Sequence, residues 1–358
     1  MLSTVIIAEA GVNHNGSLDR ALALVDLAAN AGADAVKFQM FIPEAVISRY
    51  AQKAKYQVKT TGDSESQLEM VKRLALDLDA HKQLKRHCEM RNIQFLSTPF
   101  DLSSVDMLVN DLKVSRIKVG SGEITNAPLL LRVAQSGLPV IVSTGMSLLG
   151  EIEDALGVLA YGYLQTRELP SIAGFRQAFL SREGQQQLQE KVTLLHCTTE
   201  YPSPFEDVNL LAMDTMGSAF GLPVGLSDHT ADYSVSIAAV ARGACIIEKH
   251  FTQDRSLPGP DHKASLEPEE LAAMVTAIRQ VEQALGSPRK LVAASEAKNQ
   301  EIARKSMVAL QTIHKGEPFT SNNLGAKRPG TGISPIRYWE FLGKTATRDY
   351  NVDEFITL

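Results

Sequence analysis

Two lysines interrupt runs that are otherwise apolar and β-branched: Lys37 in Val36-Lys37-Phe38-Gln39 and Lys118 in Ile117-Lys118-Val119. A buried ammonium without a partner is costly, so each needs an anion beside it. An internal carboxylate (Glu9, Glu123 or Glu248) meets that need. So does a phosphate or carboxylate ligand, for which the hydroxyls of Thr98, Ser121, Ser143 and Ser227 offer further donors. A lysine so placed can also form a Schiff base with a carbonyl substrate. His229 and His250 fall at the ends of two successive apolar runs. Two imidazoles with oxygen ligands leave positions open for a Lewis-acid metal, and Mn2+, Mg2+, Co2+, iron and zinc are all admissible. Pro258-Gly259-Pro260-Asp261 is a rigid loop whose carboxylate can accept hydrogen bonds from sugar hydroxyls, while Lys327-Arg328-Pro329-Gly330 by itself reads as an exposed turn.

These residues share a placement. Short β-rich runs at 4–9, 35–39, 94–97, 116–119, 139–143, 192–196, 223–226 and 245–249 alternate with helical patterns. The first of these places Leu18, Leu22, Val25 and Ala29 on one face after Ser17, a suitable N-cap. The other helical patterns cover 80–91, 103–112, 129–135, 149–160, 209–220, 234–242 and 267–285. Eight strand–helix units over this length predict an α/β fold, a (β/α)8 TIM barrel, whose chemistry comes from the C-terminal ends of its strands. Glu9, Lys37, Gln39, Thr98, Lys118, Ser121, Glu123, Ser143, Tyr201, Ser227, His229 and His250 all fall at or just beyond such ends. A doubly wound sheet is the competitor, but the first strand runs into Gly11-Val12-Asn13-His14-Asn15-Gly16, which lacks the GxGxxG spacing.

Two segments break the rhythm. The polar stretch 41–69, with Lys53, Lys55 and Lys59, has the length of a lid or binding loop. The Gln-rich stretch 162–190 reads as a partly helical surface insertion. The barrel is expected over 1–286, a linker over 287–300, and a small domain over 301–358 with strands at 306–310 and 355–358.

Hydrophobic residues make up 44% and charged residues 22% of the 358, enough to build a sizeable core. With 36 Lys+Arg against 41 Asp+Glu there is no nucleic-acid or anionic-membrane footprint. Three widely spaced cysteines, no CxxC pair and no signal-peptide pattern at the N-terminus point to a reduced, cytoplasmic protein. His14, His196 and His262 sit near strand ends or loops, whereas His81, His87 and His314 read as surface residues.

Taken together, IIAEAGVNHNGS (6–17), DAVKFQ (34–39), ESQLEM (65–70), FLSTPFD (95–101), KVGSGEITN (118–126), STGM (143–146) and LLHCTTEYPSPFEDVNL (194–210) resemble the bacterial N-acetylneuraminate (sialic acid) synthase family, which includes the related legionaminic acid synthases. GLSDHT (225–230), EKHFTQDRSLPGPDHKASLEP (248–268) and KRPGTGISP (327–335) extend the resemblance to both domains. It implies a TIM barrel followed by an antifreeze-like (SAF) domain in a domain-swapped homodimer. The implied reaction condenses phosphoenolpyruvate with N-acetylmannosamine and water, giving N-acetylneuraminate and phosphate by C–O cleavage. The alternative sugar is 2,4-diacetamido-2,4,6-trideoxymannose, giving N,N'-diacetyllegionaminate. A Schiff-base sialate aldolase and a non-enzymatic sugar-binding protein are more distant alternatives.

By the same resemblance, Lys37, Lys118, Ser121, Ser143, Ser227 and Thr98 match phosphoenolpyruvate contacts. Gln39, Tyr201 and Asp261 match sugar contacts, and Arg328 matches an arginine that reaches the partner subunit's site. Glu9 and Glu123 match acids near the reacting carbons, and His229 and His250 match ligands of a divalent metal, usually Mn2+. One departure is Thr199, which stands where some members carry Asn at a phosphate contact.

Overall fold

The computed structural model describes residues 3–54, 57, 58, 61, 62, 64–165 and 168–357; Lys55 and Lys59 of the long polar stretch lie outside them. The chain divides into two compact units, Met1–Gly286 and Ser287–Leu358.

In the first unit eight parallel strands form one sheet: β1 (Val5–Gly11), β2 (Ala35–Met40), β3 (Gln94–Pro99), β4 (Ile117–Val119), β5 (Val140–Ser143), β6 (Val192–Cys197), β7 (Val224–Asp228) and β8 (Ile246–His250). Their order is β3-β2-β1-β8-β7-β6-β5-β4, and β3 also packs against β4. Each strand therefore neighbours its sequence neighbours, and β1 lies beside β8, which is the topology of a TIM barrel.

The inside of the barrel follows the two-residue period of a strand. Ile7, Ala35, Leu96, Ile141, Leu195 and Ile246 form one buried apolar cluster. Two residues further along each of those strands stand Glu9, Lys37, Thr98, Ser143, Cys197 and Glu248, all lining the cavity above that plug. The lysines that interrupt apolar runs are thus in register with their neighbours' polar side chains, while intervening residues such as Val36 and Phe38 face the surrounding helices and join the main core.

Helices connect the strands. Ser17 caps the helix Leu18–Asn30, accepting a hydrogen bond from Arg20 N, and Ala21, Leu24, Val25 and Ala28 are its buried face. Asp77 caps Leu78–Met90 in the same way. Within that helix His81 is fully buried, with its ring nitrogens 3.0 Å from Asp77 O and 3.3 Å from Gln39 O. This corrects the surface placement expected for it: its neighbours in sequence are polar, but the helix turns it toward the barrel. The insertion 162–190 carries two helices, Ile172–Leu180 and Arg182–Lys191, with Phe175 set edge-on to Tyr161 at 5.2 Å.

The second unit has an antiparallel pair, β9 (Ser306–Ala309) with β10 (Leu324–Lys327), over a small core that includes Met307, Ile313, Phe319, Phe341 and Tyr350. The strand expected at 355–358 is reduced to a single bridge from Phe355 to Val308. The partner strand is instead Leu324-Gly325-Ala326-Lys327, whose residue types carry little β preference. The residues expected as a linker group with this unit, and the helix Ala297–Ala303 that begins within them accepts Gly330 N at Glu301 O, 2.6 Å away.

Candidate active site

The C-terminal ends of the barrel strands enclose a cavity of about 290 Å³. Glu9, Lys37, Gln39, Thr98, Lys118, Ser121, Ser143, Tyr201, Ser227, His229, His250 and Asp261 line it, so twelve of the fourteen expected residues meet in one place. A bulge in β1 between Glu9 and Gly11 shapes one wall. Gly11 has a φ of +52°, and a Cβ there would lie within 3.3–3.5 Å of Glu9 Oε1, Asp261 Oδ2 and Gln39 Nε2. Glycine serves both needs.

Four charged side chains occupy the floor. Lys37 Nζ lies 2.8 Å from Glu9 Oε2 and 3.5 Å from Glu248 Oε2, and donates to Thr98 Oγ1 at 3.1 Å. Lys118 Nζ donates to Ser143 Oγ at 2.7 Å and lies 3.4 Å from Glu248 Oε1. Ser227 Oγ donates to the same Glu248 oxygen at 2.8 Å. Burial opposes charge on Glu248, but Lys118 and Lys37 outweigh it and hold the carboxyl down at about 2. Burial dominates at Glu9, where Lys37 offsets it only in part, and the carboxyl is pushed up to about 7. Lys37, facing two carboxylates, is raised against the effect of burial, whereas burial lowers Lys118.

The floor thus holds one firmly ionised carboxylate between two amines and one carboxyl that can carry a proton near neutrality. Thr199 Oγ1, which lines the same cavity, is buried without a hydrogen-bond partner among the described residues. Leaving such a group unpaired costs about 1–3 kcal/mol, which a polar guest relieves. Nearby, Gly145 N donates to Ser121 Oγ at 3.0 Å, and a Cβ on Gly145 would run into that oxygen at 2.8 Å.

His229 and His250 face each other with ring centroids 5.4 Å apart, and Tyr201 stacks on His229 at 4.2 Å. His229 Nδ1 lies 2.7 Å from Thr198 O, which fixes the proton there and leaves the Nε2 lone pair available, 3.5 Å from Ser227 Oγ. His250 Nδ1 is buried without a partner among the described residues, and burial, with His229 next, holds its pKa well below the ordinary value. At His229 burial, which would lower the pKa, is outweighed by Cys197 and the Thr198 carbonyl, which raise it; with Nε2 deprotonated, this ring and His250 could give lone pairs to a divalent cation. Among the described residues no group of three or more His, Cys, Asp and Glu side chains is placed to hold one, so water or substrate oxygens would complete the shell.

Asp261 is buried at the rim, and burial raises it to about 6. Glu123 departs from expectation. It sits in the short 3-10 turn Ser121–Glu123, outside the cavity lining, and accepts from Asn126 Nδ2 at 2.6 Å. The lining runs only as far as Gly122, and the acid is spent on the following helix cap. Arg328 belongs to the second unit, exposed, with Nε donating to Ala303 O at 3.1 Å.

The other strand-end histidines are structural. His196 Nε2 contacts Val208 O at 2.5 Å, His14 Nδ1 accepts from Gly16 N, and His262 Nδ1 lies 2.7 Å from Thr252 Oγ1. Glu248 and Cys197 are polar floor residues not assigned a role from sequence, Glu248 entering there as a charge partner for the lysines. The two-residue register with Ile246 and Leu195 was the signal that could have found both.

A TIM barrel with charged and imidazole groups at its strand ends, followed by a small β domain, defines a class of α/β enzyme architecture. The comparisons make it specific. Residues 24–290 match the NeuB family model and residues 304–358 the SAF domain model. N,N'-diacetyllegionaminic acid synthase of Campylobacter jejuni is 53% identical over 99% of both chains. The enzyme of the same name from Legionella pneumophila is 42% identical over 96% of this chain and 90% of its own. The crystal structure of N-acetylneuraminic acid synthetase from Leptospira borgpetersenii, 34% identical, superposes with a TM-score of 0.65 over 83% of this chain and 90% of its own. The chain belongs to the NeuB family.

Proposed function

We propose that the protein is a sugar-acid synthase that condenses phosphoenolpyruvate with 2,4-diacetamido-2,4,6-trideoxymannose and water, giving N,N'-diacetyllegionaminate and phosphate. The 53% identity to a synthase of that product supports this sugar over N-acetylmannosamine, the first expectation from sequence. The observation that carries the reaction class is the joint placement of Lys37 and Lys118 around Glu248, with the histidine pair in the same cavity.

In this reading Lys37 and Lys118 neutralise the phosphate and carboxylate of phosphoenolpyruvate, with Ser121, Ser143, Ser227, Thr98 and Thr199 supplying hydroxyls. Gln39, Tyr201 and Asp261 orient the open-chain sugar with its aldehyde over the enol carbon. His229 and His250 would hold the divalent ion, Mn2+ by family resemblance, which when bound supplies Lewis-acid polarisation of the aldehyde oxygen.

As the enol C3 attacks the aldehyde carbon, negative charge grows on the aldehyde oxygen and positive charge on C2. Glu9, able to carry a proton on its carboxyl near neutral pH, can deliver it to that oxygen. Glu248 stays ionised and faces the developing cation. Water adds at C2 and returns one proton to Glu9; the C2 hydroxyl then collapses to the ketone as phosphate leaves with the bridging oxygen and the remaining proton. Arg328 of a second chain closes over the sugar's N-acetyl group in the domain-swapped homodimer of this reading, and the enzyme works in the cytoplasm. Among the described residues no helix is long and apolar enough to cross a membrane.

The test is phosphate release from phosphoenolpyruvate with each of the two sugars, before and after chelation. The proposal requires release with the diacetamido sugar that chelation abolishes and a divalent ion restores. Turnover of free pyruvate with borohydride trapping of a lysine would instead support the aldolase.

A further inference from the structure

The cavity has two unlike halves. Lys118, Ser121, Ser143 and Thr199, from the ends of β4, β5 and β6, give one half cations and hydroxyls. Another part of the lining is mainly apolar, with Val12, Phe41, Ile47, Met70, Val71 and Leu74, and carries two amides, Gln57 and Gln67. Val12 follows β1 and the other five apolar residues belong to the segment after β2. Met70, Leu74 and Val12 are buried in a small hydrophobic cluster separate from the main core, with Phe41 and Val71 packed against it.

Local structure holds this wall in place. Ser66 and Glu69 form a reciprocal capping box at the start of the helix Gln67–Leu74, with Ser66 N to Glu69 Oε2 at 2.7 Å and Glu69 N to Ser66 Oγ at 3.2 Å. Met70 and Leu74, four residues apart, then share one face, and both are almost fully buried.

None of these six side chains offers a hydroxyl-binding group. A hydroxyl packed against these six is without a partner wherever the Gln57 and Gln67 amides do not reach it, whereas a methyl group gains from contact. Resting on the proposed reaction, we infer that this wall selects the sugar by its C6 methyl, so that a C6 hydroxymethyl is disfavoured. An apolar wall rejects an added hydroxyl only modestly, so the expected preference in kcat/KM is about 10–100-fold.

The experiment compares two sugars that differ only at C6, 2,4-diacetamido-2,4,6-trideoxymannose and 2,4-diacetamido-2,4-dideoxymannose. Both are assayed by phosphate release in the full-length protein and in the half-buried variants Val71→Thr and Ile47→Thr. The inference expects the wild-type preference to fall at least about threefold in a variant that gives the C6 hydroxyl a partner. The KM for phosphoenolpyruvate should stay within about twofold, which general loosening of the segment would not ensure. Equal kcat/KM for the two sugars in the wild type, or a preference unchanged in both variants, overturns this inference alone. Phosphate release with neither sugar overturns the proposed reaction and this inference with it.

Discussion

Asp228 and Lys249 form an ion pair at 3.1 Å that is almost wholly excluded from solvent, and each directly precedes or follows a cavity residue on its strand. Asp228 stands between Ser227 and His229, and Lys249 between Glu248 and His250. The alternation of β7 and β8 turns this pair away from the cavity while its neighbours point in. Thr230 and Ser236 donate to Asp228, and Lys249 also donates to Thr230 O at 2.7 Å.

Removing one partner leaves the other charge buried. Lys249→Met is therefore expected to lose about 3–5 kcal/mol of unfolding free energy. The double variant Asp228→Asn/Lys249→Met keeps an acceptor for Thr230 and turns the amide nitrogen, a donor, toward Ser236 Oγ, without an orphan charge, so part of that loss should return. Urea unfolding of the three proteins measures it, and a double variant no more stable than Lys249→Met contradicts the pairing argument.

Stability should fall in mild acid because of His14. Burial is the main cause of its pKa being lowered from 6.5 to about 4. A group whose folded pKa lies below its unfolded value binds its proton first in the unfolded chain. The stability it contributes is therefore complete above about pH 6.5 and is lost as pH falls toward about 4. At about 1.4 kcal/mol per unit the loss approaches about 3 kcal/mol. His14→Asn, whose amide oxygen takes the place of Nδ1 as acceptor for Gly16 N, should lessen the pH dependence of unfolding free energy across that window, with His262, also lowered to about 4 by burial, retaining its share.

Glu123→Gln should keep kcat within about twofold, as expected for a change outside the cavity that preserves an acceptor for Asn126. Steady-state phosphate release checks it. A loss of a hundredfold or more would return this residue to the chemistry.

The contrast between Glu123 and Glu248 shows how far the sequence is legible. Strand ends could be counted from β-rich runs, and the lysines betrayed themselves by interrupting apolar ones. Glu248 shares that register, two residues beyond Ile246, yet next to Lys249 and His250 it blends into a polar cluster. Glu123 lies four residues after the end of β4, where direction is set by a 3-10 turn rather than by strand alternation. Likewise β10 carries a weak strand signal because its pairing depends on Met307 and Val308 across the sheet, a long-range contact that no local pattern encodes. The apolar residues Met70 and Leu74, just beyond the polar stretch 41–69, carry no local signal for the same reason: their partner, Val12, is remote in sequence.

The account stands on Lys37 and Lys118 exchanging their internal carboxylates for a shared anionic ligand. Calorimetric titration of phosphoenolpyruvate into the protein, Lys37→Met and Lys118→Met tests this most directly. The account expects one site per chain in the wild type and affinity weakened about 10–100-fold in each variant, the scale of one lost charge-assisted hydrogen bond. Equal affinity in all three proteins would contradict it.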